Sequence, residues 1–388
     1  MPAIESIAEA LDGAVAEGHA VGVVGVVVGR DGKILHESAH GARAVGGDAM
    51  TADSVFRAFS MTKAVGTVAA MKLVEEGSLS LDTPVEEVLP EFAEIQVLDG
   101  FDGDTPKLRA PKTKCTLRHL ATHTSGFTYD VWNANQTKYF EATEGFPTLS
   151  GQLASLKCFP MQFDPGERWA YGMSTDWLGR MVEEASGERI DAFLKREVLG
   201  PLGMTSTDVE ITPDMASRKV GVSAATPDGF VPIEMDLPSN PEFYGMGHAL
   251  NTTGGDYARF CAMILGGGAV GGARVLSEDA VAMMSQRGEP AATVVTQATV
   301  NPALSADMDF FPGVDKCYTL GFMRNEQDVP GRRRAGSLSW AGVMNTHYWI
   351  DPTTGIAGVI MMQHLPFVDA HAMATYEAFE TATYAALS

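Results

Sequence analysis

The sequence has few cysteines and no long apolar run, and each shortage excludes a class of protein. Its four cysteines (Cys115, Cys158, Cys261 and Cys317) are far apart and form no CxxC pair, so the sequence encodes neither a zinc ribbon nor a thioredoxin-type redox site. So few cysteines in a long chain favour buried free thiols over a disulfide framework. The longest apolar stretch, residues 20–29, is shorter than the roughly 20 residues that a membrane-spanning helix requires.

Basic residues are also under-represented. The chain of 388 residues has 28 lysines and arginines against 49 aspartates and glutamates, which gives a formal net charge of −21. An acidic surface repels phosphate backbones and anionic lipid headgroups, so we expect neither nucleic acid nor a membrane as a partner. Residues 1–18 lack the basic start and the apolar block of a secretion signal. These features predict a cytoplasmic protein.

Strand patterns occur near both ends of the chain. Residues 21–28 and 33–40 flank an Asp-Gly turn, and residues 344–350 and 356–363 flank a second turn, so each pair predicts a hairpin. Helical periodicity precedes the first hairpin and follows the second. These observations predict an α+β fold in which a mostly antiparallel sheet, built from both chain ends, is flanked by helices.

The middle of the chain is richer in helical periodicity and in loops. One apolar stripe, residues 177–185, ends at Gly187, as expected for a helix stopped by glycine. We therefore expect residues 1–83 and 222–388 to form the sheet domain, and residues 84–221 to form a mainly helical insertion domain. The active site is expected between them.

Three short motifs have ordinary structural explanations beside their functional ones. Gly266–Gly271 matches GxGxxG, but the helical stretch before it favours a helix stop over a dinucleotide site. His119 and His123 have the spacing of a helical metal pair, but no third ligand is identifiable, so we expect no metal site. Arg332–Arg334 could bind an anion, although three basic residues in a turn are more often solvated.

Ser60-Met61-Thr62-Lys63 is the motif with the clearest chemistry. Ser60 is the only serine with a lysine three residues later, and an apolar stretch that ends at Gly77 follows it. A serine at a helix start with a lysine one turn on places hydroxyl and ammonium on the same face. The helix N-terminus favours an oxyanion there, and a lysine kept neutral by burial can act as the base that serine needs. The ordinary alternative is an N-cap serine with a surface lysine.

Five stretches of the chain have the pattern of one known family. They are SMTK (60–63), LSLDTPV (79–85), LRHLATHTSG (117–126), FDPGE (163–167) and PLGM (201–204). Together they resemble the serine β-lactamase and penicillin-binding superfamily, specifically its class C-like branch. The resemblance spans most of the chain and implies a β-lactamase-like fold.

Two motifs depart from the usual pattern of that superfamily. Tyr171 matches its Tyr-x-Asn motif, but Met173 stands where asparagine is usual. Trp340-Ala341-Gly342 stands where Lys-Thr-Gly is usual. In the superfamily this lysine and this asparagine contact the carboxylate and the amide of a β-lactam, so their replacement disfavours β-lactam hydrolysis. A Trp-x-Gly motif beside SxxK and tyrosine is most similar to the family VIII carboxylesterases.

The resemblance implies the catalytic roles. Ser60 would be the nucleophile, and Lys63 and Tyr171 would share the proton transfer, since a phenol near an ammonium group is expected to have a lowered pKa. The backbone N–H groups of Ser60 and Val343 would form the oxyanion hole.

The expected substrate contacts are less specific. Trp340 would offer an apolar surface that suits a neutral ester, and Gly342 belongs to the same motif. Tyr129 and Trp132 follow the LRHLATHTSG stretch and either line the pocket or pack as loop aromatics.

The predicted function is the hydrolysis of carboxylic esters with short to medium acyl groups through an acyl-enzyme on Ser60, without cofactor or metal. A small-molecule ester is the expected partner, and the sequence does not predict the oligomeric state. GxSxG is absent, which disfavours an α/β-hydrolase. A β-lactamase, a D-amino-acid peptidase or amidase, and an acyltransferase on the same scaffold are alternatives. A non-catalytic binding or scaffold protein is a further one, although it would be expected to have lost the serine, the lysine or the tyrosine.

Overall fold

A seven-stranded antiparallel sheet forms the centre of the computed structural model, which describes residues 2–145, 149–235 and 237–387. The strands are β1 (Gly22–Gly29), β2 (Ile34–Gly41), β3 (Phe56–Arg57), β4 (Val97–Asp102), β5 (Thr105–Arg109), β6 (Ser223–Thr226), β7 (Gly229–Pro232), β8 (Asn251–Thr252), β9 (Ala269–Val270), β10 (Ala273–Arg274), β11 (Lys316–Tyr318), β12 (Met323–Asn325), β13 (Leu338–Gly342), β14 (Thr346–Asp351), β15 (Ile356–Met361) and β16 (His364–Leu365).

The helices cover the sheet and fill the middle of the chain. They are α1 (Pro2–Ala16), α2 (Thr62–Glu75), α3 (Val85–Val88), α4 (Leu117–Ala121), α5 (Ala134–Thr143), α6 (Leu153–Lys157), α7 (Ser174–Ser186), α8 (Ile190–Leu194), α9 (Pro213–Ala216), α10 (Gly254–Leu265), α11 (Glu278–Ser285) and α12 (Ala370–Leu387). None of those described has both the length and the apolar character that spanning a bilayer requires.

Both ends of the chain contribute to the central sheet, as the sequence predicts. The strand order is β11-β12-β13-β14-β15-β1-β2, so the first strand pairs directly with the fifteenth. Every residue of β1 is buried because helices cover both faces of the sheet. Val23 and Val27 face α1 and α12, whereas Val24 and Val26 belong to the main core that includes α10. This alternation is the expected consequence of the two-residue period of a strand.

In the helical region between β3 and β6, helix α7 packs against α2, the helix that follows the Ser60 turn. Helix α7 ends at Gly187 in a left-handed conformation (φ 70°), which confirms the predicted glycine stop. The division into domains at residues 84 and 221 remains a prediction.

The structure gives structural roles to two of the short motifs, the glycine-rich stretch 266–271 and the arginines 332–334. Gly266 ends α10, and the glycines after it lead into a short hairpin, which confirms the helix-stop explanation. The expectation that the three arginines are solvated is wrong for Arg333. This residue is fully buried and pairs with Glu380 of α12 at 2.7 Å.

The four cysteines are free thiols, and all except the half-buried Cys158 are buried.

Candidate active site

Ser60 lies in a tight turn, Phe59–Met61, directly before α2. Phe59 has a positive φ of 43°, a conformation that costs a non-glycine residue on the order of 1 kcal/mol and is common at functional sites. The turn is held from both sides: Ala58 N–H donates to the carbonyl of Leu250 (2.8 Å), and the Tyr257 hydroxyl donates to the carbonyl of Met61 (2.9 Å). The serine hydroxyl is therefore presented at a rigid position.

Lys63 is fully buried one turn into the same helix. Its Nζ donates to Ser60 Oγ (3.1 Å), to the carbonyl of Gly247 (2.9 Å) and to the Tyr129 hydroxyl (3.2 Å). Burial lowers the pKa of Lys63 to about 7, although the nearby Asp176 carboxylate opposes the shift. A substantial share of these amines is neutral at neutral pH, and a neutral amine at this distance can take the proton of Ser60.

Tyr171 is buried beside the nucleophile. Its hydroxyl is hydrogen-bonded to Ser60 and accepts a hydrogen bond from the indole N–H of Trp340 (3.1 Å). Lys63 Nζ lies 4.9 Å from the centre of its ring. Burial raises the pKa of Tyr171, outweighing both hydrogen bonds, so the expected lowering of this pKa is wrong. The tyrosine is a neutral hydroxyl that can donate one proton while it accepts another.

An apolar cavity of about 190 Å³ opens at Ser60. Among the described residues that line it there is no lysine or arginine, and Asp130 is the only acidic one. Its lining residues are Phe59, Ser60, Tyr129, Asp130, Val131, Trp132, Leu149, Tyr171, Met235, Gly247, His248, Leu304, Val343, Met344 and Leu365. Tyr129 and Trp132 are thus on the wall, and Val343, the proposed oxyanion donor, faces the same space as Ser60.

The resemblance implies that Trp340 and Gly342 contact the substrate, but the structure does not place them at the cavity. Both are buried in β13 and neither is part of the cavity wall. Trp340 lies behind Tyr171, with ring centres 4.8 Å apart, and positions its hydroxyl. A Cβ atom on Gly342 would lie 2.3 Å from the carbonyl oxygen of Ala58, so the glycine allows β13 to approach the nucleophile turn.

The arginine cluster also lies away from the cavity wall. Arg333 pairs with Glu380, Arg332 with Glu377 at 3.2 Å, and Arg334 with Asp328 at 3.0 Å. None of the three arginines lines the Ser60 cavity, so none replaces the lysine that the third motif lacks.

His119 and His123 have separate surroundings. His119 Nδ1 accepts a hydrogen bond from the backbone of Thr116 (3.1 Å) and caps α4. His123 is fully buried between the rings of Tyr171 (5.1 Å) and Tyr318 (4.8 Å), where burial keeps its pKa far below the usual value. No group of three potential metal ligands occurs in the described part of the chain.

Sequence reasoning missed three residues beside Lys63. Asp176 is buried in the first turn of α7, and its Oδ1 accepts a hydrogen bond from the N–H of Gly247 (2.7 Å). The carbonyl of Gly247 in turn accepts a hydrogen bond from Lys63 Nζ. A Cβ atom on Gly247 would lie 2.9 Å from that carboxylate oxygen. His248 follows on the cavity wall. The available signals were an acidic residue in the apolar stretch after Tyr171, and a histidine next to two closely spaced glycines, Gly245 and Gly247.

Comparison with known proteins gives this geometry a family. A lovastatin esterase from Penicillium rubens is 30% identical over 342 residues, covering 83% of this chain and 82% of its own. A monacolin J acid methylbutanoyltransferase from Aspergillus terreus is 28% identical over 391 residues, with 93% and 91% covered. The structure of the LovD6 mutant of simvastatin synthase, also from Aspergillus terreus, superposes with a TM-score of 0.85 at 24% identity, covering 99% of this chain and 95% of that one.

The family model described as Beta-lactamase matches residues 7–383, which is nearly the whole chain. The sheet order, the turn that carries Ser60 and the buried lysine one helical turn later all lie within that match. The chain belongs to the beta-lactamase family.

Proposed function

We propose that this protein is a serine carboxylesterase, similar to the family VIII esterases, that hydrolyses carboxylic esters with short to medium acyl groups. The observation that carries the proposal is the cavity at Ser60. Its walls are apolar and the described part has no cationic side chain, so a neutral ester is accommodated and a carboxylated β-lactam is left without a counter-ion. An unpaired carboxylate in a partly desolvated site typically costs about 1–3 kcal/mol or more.

Acylation uses the groups in contact with Ser60. The neutral Lys63 amine takes the serine proton, directly or through the Tyr171 hydroxyl, while Ser60 Oγ attacks the ester carbonyl carbon. The carbonyl oxygen becomes an oxyanion that the backbone N–H groups of Ser60 and Val343 stabilise. The carbon–alkoxy bond then breaks, and the alkoxide takes the proton from Lys63 through Tyr171. The products are an alcohol and the acyl-enzyme.

Deacylation repeats the sequence with water. The same relay accepts a proton as water attacks the acyl carbon, and Ser60 Oγ leaves and takes that proton back. The acid is released, and Lys63 returns to its neutral form.

The proposal is tested by comparing two substrates with one enzyme preparation. We expect kcat/KM for p-nitrophenyl butyrate to exceed that for a chromogenic cephalosporin by about 10²-fold, because the carboxylate has no partner. Ser60→Ala should abolish ester turnover and labelling by a fluorophosphonate probe, whereas Ser78→Ala, at an exposed serine, should change neither. Cephalosporin turnover equal to or faster than ester turnover would identify a β-lactamase instead.

Acyl transfer is a second candidate function. It is supported by the similarity to a methylbutanoyltransferase, which covers 93% of this chain. The acyl-enzyme is common to both reactions, and the outcome depends on whether water or an alcohol reaches the acyl carbon. Product analysis with p-nitrophenyl butyrate and added 1-butanol distinguishes them. Butyl butyrate as the main product at millimolar alcohol would establish a transferase, and butyric acid an esterase.

A further inference from the structure

His248 is the one imidazole among the described residues that line the Ser60 cavity. Only 8% of its surface is exposed, and it directly follows Gly247, whose carbonyl accepts a hydrogen bond from Lys63 Nζ. The acyl-transfer steps above do not use it. A polar ring in an otherwise mostly apolar wall therefore needs an explanation.

The neighbouring acidic residue, Asp176, has one carboxylate oxygen without a hydrogen-bond partner. Nδ1 of His248 and Oδ2 of Asp176 are both buried, and neither has a hydrogen-bond partner among the described residues. The two side chains converge beside Gly245. A Cβ atom added there would lie 2.9 Å from Nδ1 of His248 and 2.8 Å from Oδ1 of Asp176. Buried polar atoms without partners are rare in proteins, so this pair indicates a polar site in the cavity wall rather than ordinary packing.

The surroundings also define the chemical form of the ring. Burial lowers the pKa of His248, the Lys63 charge acts in the same direction and the Asp176 charge opposes it, so the imidazole is neutral at neutral pH. A neutral imidazole has one N–H and one acceptor nitrogen. Nδ1 is buried, so Nε2 is the ring nitrogen open to a group in the cavity, and the negative charge of the nearby Asp176 favours the form with the proton on Nδ1 and the acceptor at Nε2.

We propose that His248 is a specificity-determining residue that accepts a hydrogen bond from a hydroxyl group of the substrate. The inference rests on the proposed ester function and narrows it to hydroxyl-bearing esters. The hydroxyl belongs either to the acyl part or to the alcohol part, and both sources offer the same O–H donor. A site built to bond a hydroxyl discriminates strongly against the analogue that lacks it, because its own polar atom is then left unpaired.

Two isosteric ester pairs distinguish the sources. On the acyl side, p-nitrophenyl 3-hydroxybutanoate is compared with p-nitrophenyl 3-methylbutanoate. On the alcohol side, 2-hydroxyethyl butyrate is compared with propyl butyrate by titration of the released acid. We expect a kcat/KM ratio of about 10 or more in favour of the hydroxyl ester in one of the pairs.

The variants test whether His248 is responsible. In His248→Phe the ratio should fall to about 1, whatever happens to the absolute rates, and His36→Phe, at a histidine of β2 away from the cavity, should keep the wild-type ratio. Thermal unfolding verifies that each variant folds. If phenylalanine prevents folding, His248→Ala removes the acceptor without adding bulk, and the same fall in the ratio is expected.

The outcomes separate this inference from the ester function. Turnover of the plain esters without any hydroxyl preference, or a preference that persists in the folded His248 variant, would overturn the inference alone. Failure of the wild type to hydrolyse all four esters would overturn the ester function and the inference together.

Discussion

At the scale of single residues, the chemistry depends on what surrounds each polar group. Lys63 has three acceptors around its Nζ, yet burial lowers its pKa to about 7, since desolvation disfavours the charged amine more than the nearby Asp176 favours it. Burial acts in the opposite direction on Tyr171 and raises its pKa, because there the charged form is the deprotonated one. One buried pair therefore supplies a base and a neutral proton carrier.

The pH dependence of the reaction follows from the Lys63 amine. Only the neutral amine accepts the serine proton, so kcat/KM for a neutral ester should fall about tenfold per pH unit below about pH 7 and level off above it. A profile of kcat/KM for p-nitrophenyl butyrate between pH 5 and 9 measures this acid limb, the pH range in which the rate falls. Lys72→Ala, at the other end of α2, is the control. A rate that still rises about tenfold per pH unit up to pH 9 would mean that Lys63 keeps its ordinary pKa.

The Lys63 and Tyr171 side chains should behave as one unit. Lys63→Ala and Tyr171→Phe should each lower kcat by on the order of 10²-fold or more, and the double variant should lose little beyond the larger single loss. Steady-state kinetics of the two single variants and the double variant measure how strongly the effects of Lys63 and Tyr171 on kcat depend on each other. Near-normal turnover by Tyr171→Phe would indicate that Tyr129, whose hydroxyl also contacts the lysine, carries the proton instead.

At the scale of elements, the site is assembled where α2, α7, β13 and the loop before β8 meet. Helix α7 brings Asp176 to the N–H of Gly247, and the carbonyl of that glycine orients the lysine of α2. Strand β13 approaches the Ser60 turn closely because residue 342 is a glycine. The position of each catalytic atom therefore depends on an element that carries none of the three catalytic side chains.

Asp176→Asn tests the link through α7. Removing this negative charge disfavours the protonated lysine, so the acid limb of the pH profile should move below pH 7. Loss of the carboxylate that holds Gly247 should also lower kcat, while Asp279→Asn, at an exposed position of α11, should leave both unchanged. A purely structural Asp176 would lower the thermal stability without moving the limb.

At the scale of the whole molecule, the sheet joins the two ends of the chain. Strand β1 pairs with β15, and α1 and α12 cover the same face. The buried Arg333 links the segment after β12 to α12, because it forms an ion pair with Glu380 and donates a hydrogen bond to the hydroxyl of Tyr376. Neither Arg333 nor Glu380 lines the Ser60 cavity, so stability and activity should respond separately to removal of this pair.

Glu380→Gln should lower the free energy of unfolding by about 3 kcal/mol or more, because it leaves the Arg333 charge buried without a counter-charge. Urea unfolding measures the loss, and activity per folded molecule should be retained. Glu377→Gln removes only the partly exposed partner of Arg332 and should cost less than about 1 kcal/mol. Equal losses in the two variants would contradict a stabilising role for the buried pair.

Local pattern in the sequence was sufficient for much of the fold and for part of the site. The two terminal hairpins, the helix stop at Gly187 and the placement of Ser60 before a helix with Lys63 one turn later depend on neighbours within a few residues, and the structure has all of them. The match of Tyr171 and Val343 to their roles required resemblance to a family, since no local rule relates residues so far apart.

Only the tertiary structure decided how these groups behave. The pKa values of Lys63 and Tyr171 depend on burial, which is a property of the whole core rather than of a motif. The contact between Lys63 and the Gly247 carbonyl joins positions 184 residues apart, so no sequence period could reveal it or the adjacent His248. In the same way, Arg333 belongs to a basic turn in the sequence, and its burial follows only from the packing of α12 against the sheet.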